Sequence, residues 1–105
     1  MLEDLYRFYL PVLANDGATS YHEALDTWKQ EAIELAGGIT ICALVRGAWI
    51  DSATGNVYDE TIQPFEVACN HSQYCLLRDR AFDLFPDQLA IMAAKIGTAF
   101  ITYRE

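Results

Sequence analysis

Two β-forming segments of equal length flank a turn near the centre of the sequence, and they constrain the fold more than any other feature. Residues Ile39–Arg46 and Ile62–Cys69 are rich in apolar side chains, which is typical of strands covered on both faces. The turn between them is predicted at Ser52–Asn56, where a five-residue loop would set Asp51 opposite Val57. The two segments therefore predict one long antiparallel hairpin.

We expect this hairpin to bend or bulge at Gly47 and Pro64, because proline has no N–H to donate to a neighbouring strand. Its tip, residues 48–60, would project past the body of the sheet, with Trp49 and Tyr58 nearly opposite each other. Aromatic side chains outside a core are frequent interface anchors, so Trp49 and Tyr58 are candidate interface residues. Folding of the tip back onto its own helices would explain them equally well.

Two further elements precede the hairpin. Leu5–Leu13 alternates at a period of two, with Tyr6 and Phe8 on one face, which predicts a strand. Between a capping-box sequence at Ser20–Glu23 and Gly37, apolar side chains recur at helical spacing. This pattern predicts a helix that ends at a left-handed glycine.

A second helix is expected after the hairpin, with Asn70 or Ser72 as its cap. Pro86 cannot lie inside a helix, so we expect a break after Leu84 and a restart at Pro86. The apolar pattern then continues to Gly97, which would leave the final strand at 98–104.

The elements follow the order βαββαβ within a single domain, residues 1–105. This order predicts an α+β, ferredoxin-like sandwich: a four-stranded antiparallel sheet with two helices on one face, the second helix broken near Pro86. Neither the first nor the last strand of the chain has a clean polar face, so the helix-free side of the sheet is expected to be covered by a second copy of the chain. The predicted homodimer would use Tyr6 and Phe8 of the sheet together with Trp49 and Tyr58 of the hairpin.

The charge of the chain excludes several classes of partner. Fifteen acidic against seven basic residues give a formal net charge of −8, which opposes binding to nucleic acid or to an anionic membrane. No apolar run approaches the roughly 20 residues of a membrane-spanning helix. The acidic start lacks the pattern of a secretory signal, and three cysteines are an odd number, so we expect a cytoplasmic protein with free thiols.

Cofactor and metal motifs are not recognisable in the sequence. Cys69, His71 and Cys75 lie close together, but they supply at most three ligands where structural zinc usually takes four. We therefore expect no metal and no cofactor.

Three residues are candidates for ligand binding. Glu66 lies among apolar residues of a central strand, where a carboxylate needs a partner, and Arg46 on the neighbouring strand is the obvious one. His71 could activate a cysteine thiol. We predict a non-catalytic interaction module of unknown specificity; the alternative is a small enzyme, or a small-ligand-binding protein, with Glu66, Arg46 and His71 in a pocket at the dimer interface.

The hairpin also carries a family resemblance. The order of its motifs resembles a GG-x-T … G-x-W-x-D … G-x-V-Y pattern of small, uncharacterised bacterial α+β domains, some of them carried on mobile gene cassettes. The matching segments are Gly37-Gly38-Ile39-Thr40, Arg46–Asp51 and Gly55–Glu60. The resemblance covers roughly residues 35–66. It implies the same fold class and brings no activity with it.

Overall fold

A computed structural model of the chain describes residues 2–104, which form two helices and five strands. All strand pairs are antiparallel, and the order across the sheet is β2-β4-β1-β5, with β3 also paired to β4. The predicted ferredoxin-like arrangement is thus the observed one. In chain order the elements are β1 (Leu2–Pro11), α1 (His22–Ala36), β2 (Thr40–Ile41), β3 (Val45–Ile50), β4 (Val57–Cys69), α2 (His71–Leu84) and β5 (Met92–Phe100).

Both helices cover one face of the two central strands, β1 and β4. Every second side chain of these strands points to that face, and Tyr6, Phe8 and Phe65 are almost completely buried there. Trp28 of α1 lies between the layers, and its Nε1 donates a hydrogen bond to the carbonyl oxygen of Leu77 in α2, at 3.1 Å. The core therefore joins both helices and both central strands.

The helix ends follow the sequence in part. Gly37 ends α1 in the left-handed conformation, with φ of 88°, as predicted. The capping box expected at Ser20 does not form, because the residue before the helix is Tyr21 and its side chain makes no capping bond. Asn70 caps α2 through a capping box with Gln73, which confirms the predicted start of that helix.

The predicted second strand is divided into β2 and β3, so the sheet has five strands rather than four. The division lies opposite Pro64, which has no N–H to donate to the carbonyl oxygen of Cys42. The Cys42 N–H still donates to the Pro64 carbonyl oxygen (3.1 Å), and Gln63 Nε2 donates to the Cys42 carbonyl oxygen (2.7 Å) in place of the missing bond. Residues 42–44 then leave the ladder. The bulge expected at Pro64 is confirmed, whereas Gly47 lies within the regular ladder of β3.

The register of the hairpin differs from the predicted one by one residue. Its turn has six residues rather than five, because the Asp51 N–H donates to the Asn56 carbonyl oxygen (2.9 Å) and makes Asp51 part of the turn. Arg46 consequently lies opposite Thr61 and not Ile62.

The hairpin projects from the sheet as predicted. The paired strand positions of β1 and β4 end at Pro11, opposite Ile62, and one further hydrogen bond joins the Val12 N–H to the Thr61 carbonyl oxygen (3.2 Å). Beyond it β3 and the first part of β4 extend past β1; residues 45–61 are called the arm below. The molecule is 54 Å long but only 25 and 24 Å across, and its radius of gyration is 14.6 Å. A compact chain of this length would have roughly 13 Å.

The segment after α2 is the main correction to the predicted fold. The helix does end at Leu84 before Pro86, but it does not restart: a turn follows, and β5 begins at Met92, six residues before the predicted final strand. The turn is held against the start of α1, because Asp87 accepts hydrogen bonds from the Asn15 N–H (2.7 Å) and from the Tyr21 hydroxyl. The apolar residues beyond it then pair with the edge of β1.

We expect Leu77→Ala to lower the free energy of unfolding by about 2–5 kcal/mol, because it leaves a cavity under a fully packed site. Leu77 is 2% exposed and its neighbour Leu76 is 58% exposed, so Leu76→Ala is the matched control, with an expected change below about 0.5 kcal/mol. Urea unfolding measures both. Equal changes in the two variants would contradict the described packing of α2.

Candidate functional site

The side of the sheet opposite the helices is called the helix-free face. Because side chains alternate along a strand, and because Tyr6 and Phe8 point to the helices, the residues between them point to the helix-free face. The register places Arg7 opposite Glu66 and Tyr9 opposite Pro64 on this face. The face is therefore mixed: it carries apolar side chains, the carboxylate of Glu3 and the Arg7–Glu66 pair of charges.

That pair is a close ion pair. Arg7 Nε and a terminal nitrogen donate to Glu66 Oε2 at 2.9 and 2.5 Å, and the other terminal nitrogen lies 3.4 Å from the Tyr9 hydroxyl. Hydrogen bonds to Tyr9 and Glu66 raise the pKa of the Arg7 guanidinium above its usual value. The Arg7 and Glu66 side chains are 36% and 22% exposed, so the pair is partly shielded by the sheet itself.

The predicted partner of Glu66 was Arg46, and the structure corrects this. Arg46 lies opposite Thr61, five residues along β4 from Glu66, a separation of roughly 17 Å at about 3.4 Å per residue. Arg46 instead pairs with Asp59 at 2.8 Å, and both of these side chains are more than half exposed. The predicted register also left Arg46 four residues away, opposite Ile62, and the residue directly opposite Glu66 on the other neighbouring strand is Arg7.

His71, the third candidate, lies at the start of α2 on the helix side of the sheet. Its Nε2 is 3.4 Å from Cys75 Sγ, one helical turn later. Cys69 is buried, and burial, with Glu3 and Asp4 nearby, raises the pKa of its thiol to about 11. Arg46, Glu66 and His71 thus occupy three separate places, and one chain does not combine them into one pocket.

Tyr6 and Phe8 were expected in an interface, and this expectation is corrected as well. Both are core residues, 4% and 0% exposed, because their side of β1 is the side that the helices cover. Tyr6 stacks on Tyr74 with ring centroids 4.5 Å apart, and Phe8 packs on Trp28 at 5.0 Å. Their rings are therefore not available to a partner.

Trp49 and Tyr58 do lie opposite each other on the arm, as predicted. Their rings stack, with centroids 4.8 Å apart and planes 21° from parallel. Alternation along β4 puts Tyr58 on the same side as Ile62 and Glu66, so the aromatic pair extends the helix-free face outwards. Whether a partner covers the pair stays a prediction.

A cleft of about 240 Å³ lies where the arm leaves the sheet; it is called the arm cleft below. One wall is the arm, with Trp49 and Glu60, together with the adjacent Ile62 of β4, and a second wall is the end of β1. The third wall is the segment from Gln88 to Met92. Sequence reasoning missed this cleft because it placed the third wall in a helix. The period-two spacing of Tyr58, Glu60 and Ile62 could have indicated a carboxylate among apolar groups.

Glu60 is the one ionised group that lines the arm cleft. Burial and the nearby charge of Asp87 raise the pKa of its carboxyl. Within residues 2–104 its side chain has neither a salt bridge nor a hydrogen-bond donor. Burial by itself would also raise the pKa of Asp87, but hydrogen bonds from Asn15, Tyr21 and Gln88 lower it below the usual value. The two carboxyls therefore differ: within residues 2–104, Asp87 accepts hydrogen bonds and Glu60 accepts none.

Two general features of the described chain also bear on function. Among residues 2–104, no three His, Cys, Asp or Glu side chains are grouped closely enough to hold a metal ion. Neither helix in this range is long and apolar enough to cross a membrane.

The fold is shared with solved structures of CutA proteins. The chain resembles the divalent cation tolerance protein (Cut A1) from Thermus thermophilus, with a TM-score of 0.63 and 16% identity over 100% of this chain and 88% of that one. The periplasmic divalent cation tolerance protein CutA from Archaeoglobus fulgidus gives 0.63 and 12% over the same shares. CutA from Synechococcus elongatus gives 0.57 and 18% over 94% and 85%.

At these identities, the likeness shows a common fold. No family model matches the sequence, and no curated protein is significantly similar to it. The resemblance of the hairpin to cassette-type domains stays a prediction.

We expect the Arg7–Glu66 pair to be coupled more strongly than the exposed Arg46–Asp59 pair, by at least about twofold, because the sheet shields it from water. Double-mutant cycles with Arg7→Gln and Glu66→Gln, and with Arg46→Gln and Asp59→Asn as the matched control, measure both coupling energies in urea. Equal couplings would show that the pair on the helix-free face is as solvated as one on the arm.

We expect Glu60→Gln to raise the urea midpoint of unfolding at pH 7. A raised carboxyl pKa means that the folded chain binds the Glu60 proton more tightly than the unfolded chain does, so this stability is complete below the ordinary pKa of 4.5 and is lost as pH rises through the raised pKa. The gain in the variant should shrink as pH is lowered towards 4.5. Asp59→Asn, which removes an adjacent but paired carboxylate, should bring no gain; a midpoint of Glu60→Gln at or below wild type at pH 7 would contradict the burial of Glu60.

Proposed function

We propose that this chain is a non-catalytic interaction module that associates with copies of itself through the helix-free face and the arm. The observation that carries the proposal is the composition of this face, which no element of the described chain covers. Besides the carboxylates of Glu3 and Glu60, the charges on this side form one ion pair, Arg7–Glu66, that is already satisfied within the chain. Such a pair can be buried in an interface without leaving an unpaired charge.

The arm supports the same proposal. It leaves the sheet beyond Pro11 and has no core of its own, yet Ile50 and Val57 are 64% and 67% exposed. The sheet is three strands wide over about eight residue pairs, and β2 adds only two residues, so this face covers roughly 400 Å². The arm adds roughly 200 Å², and the two together supply most of the roughly 800 Å² that each partner contributes to a stable interface.

The charge distribution favours a partner that is recognised through apolar contacts. Six of the seven basic side chains form an ion pair with a carboxylate of the same chain, which leaves few positive charges for phosphates. Two copies with a net charge of −8 each repel one another at a distance, so their association should strengthen when salt screens that repulsion. A twofold homodimer is the simplest closed assembly that such a face can form.

The alternative of a small enzyme or small-ligand-binding protein, with Arg46, Glu66 and His71 in a pocket at the dimer interface, stays a prediction; within one chain these three residues lie apart. Two of the structural neighbours are named divalent cation tolerance proteins. No group of three metal-ligating side chains is present in residues 2–104, and we propose no metal role on the basis of the fold.

We expect light scattering after size exclusion to give a mass at least twice the 11.8 kDa of one chain, with the assembled fraction rising with salt. Trp49→Ala should shift the equilibrium towards single chains by about tenfold or more, because a buried aromatic anchor is lost. Leu76→Ala removes an exposed apolar side chain from the helix side and is the control, with unchanged mass. Circular dichroism checks that both variants are folded.

A single-chain mass for the wild type at micromolar concentration would refute self-association. A normal mass for Trp49→Ala would remove the arm from the interface and leave the helix-free face to be tested through Tyr9→Ser.

A further inference from the structure

The arm cleft is a concave site that belongs to one chain. Its walls come from the arm, the end of β1 and the segment from Gln88 to Met92, so it does not need a second copy to be complete. Its volume of about 240 Å³ lies just below the roughly 300–1,000 Å³ of sites for drug-sized ligands. A ligand that fits it is therefore small.

The electrostatics of the arm cleft favour a positive ligand. Glu60 is the one charged residue in its lining, which contains no Lys or Arg, and no donor within residues 2–104 satisfies this carboxylate. Asp87, nearby and ionised, adds a second negative charge. A partly buried carboxylate without a counter-ion is stabilised most by a ligand group that carries both a positive charge and a hydrogen-bond donor.

A second acceptor lies in the same lining. Gln88 is 9% exposed, and its amide nitrogen donates to Asn15 Oδ1 at 3.0 Å and to Asp87 Oδ1 at 3.1 Å. These two bonds orient the amide group, and within the described chain no group donates to its oxygen. The lining therefore offers a carboxylate and an amide oxygen, both of which accept hydrogen bonds.

The rest of the lining is apolar or aromatic. Ile62, Ile91 and Met92 can cover a hydrocarbon body, and the indole of Trp49 presents an aromatic surface that attracts cations. We propose that the arm cleft binds a small primary amine with an apolar body, with Glu60 as counter-ion, Gln88 as second acceptor and Trp49 against the ligand.

The ionisation of Glu60 supports this assignment. Burial disfavours its charged form, so we expect an isosteric amide at this position to be more stable at neutral pH. Charged groups that are kept at a cost in stability are characteristic of binding sites. An amine bound at Glu60 would offset that cost.

Phenethylamine is a suitable probe, with phenylacetate and 2-phenylethanol as anionic and neutral counterparts of similar shape. Titration is followed by the two indole N–H signals in a ¹H–¹⁵N correlation spectrum at fixed ionic strength. Trp49 lines the cleft, whereas Trp28 is fully buried and bonded to Leu77, so Trp28 reports any general effect. We expect a saturable shift of the Trp49 signal with phenethylamine at millimolar concentrations, and no saturable shift of either signal with phenylacetate.

Glu60→Gln should weaken the binding of phenethylamine by about tenfold or more, the loss typical of a charge-assisted hydrogen bond. Asp59→Asn is the matched control, since this neighbouring carboxylate points to the other face of the arm and pairs with Arg46; its affinity should equal that of the wild type. Equal responses to phenethylamine and phenylacetate, unchanged affinity in Glu60→Gln, or no saturable shift at all would overturn the proposal.

The outcome is separable from that of self-association. If the protein has the mass of a single chain and binds the amine, the cleft assignment holds and self-association is refuted. If it assembles but does not bind the amine, self-association holds and the cleft assignment is refuted.

Discussion

The antiparallel pairing of β1 with β4 is the constraint on which the rest of the structure depends. It runs from Asp4–Cys69 to Pro11–Ile62, and its alternation assigns every side chain of the two central strands to one of two faces. One face meets Trp28 and both helices. A shift of this register by one residue would move the aromatic side chains of β1 out of the core and bring the ion pair of the other face under the helices.

The same pairing explains why the molecule has an arm. β1 leaves β4 after Pro11, with one further backbone hydrogen bond from the Val12 N–H to the Thr61 carbonyl oxygen, whereas β4 has five residues beyond this point that pair with β3. Three features lie on the helix-free side of the molecule: the aromatic pair on the arm, the ion pair at the centre of the sheet, and the arm cleft. The proposed self-association depends on the area that the sheet and the arm supply together. The proposed amine binding depends on one carboxylate that the fold shields without giving it a partner.

Much of the fold could be predicted because it follows from local patterns. The helix that ends at Gly37, the Asn70 cap, the bulge at Pro64 and the opposition of Trp49 and Tyr58 each follow from residue types at short range. The segment after Pro86 could not be predicted in this way. Its apolar residues fit a helix as well as a strand, and the choice is made by the hydrogen bonds of Asp87 to the start of α1, which are 66 or more positions away in sequence.

The features of the candidate site likewise separate into those that residue types predict and those that the tertiary structure decides. The sequence by itself determined that Glu66 needs a partner, that the hairpin carries an aromatic pair and that the chain is too acidic to favour phosphates. Only the tertiary structure decided that the partner is Arg7, that Tyr6 and Phe8 face inwards, and that Glu60 lies unpaired in a cleft. The physical reason is that residue type states what a side chain requires, whereas register and long-range packing decide which neighbour meets that requirement.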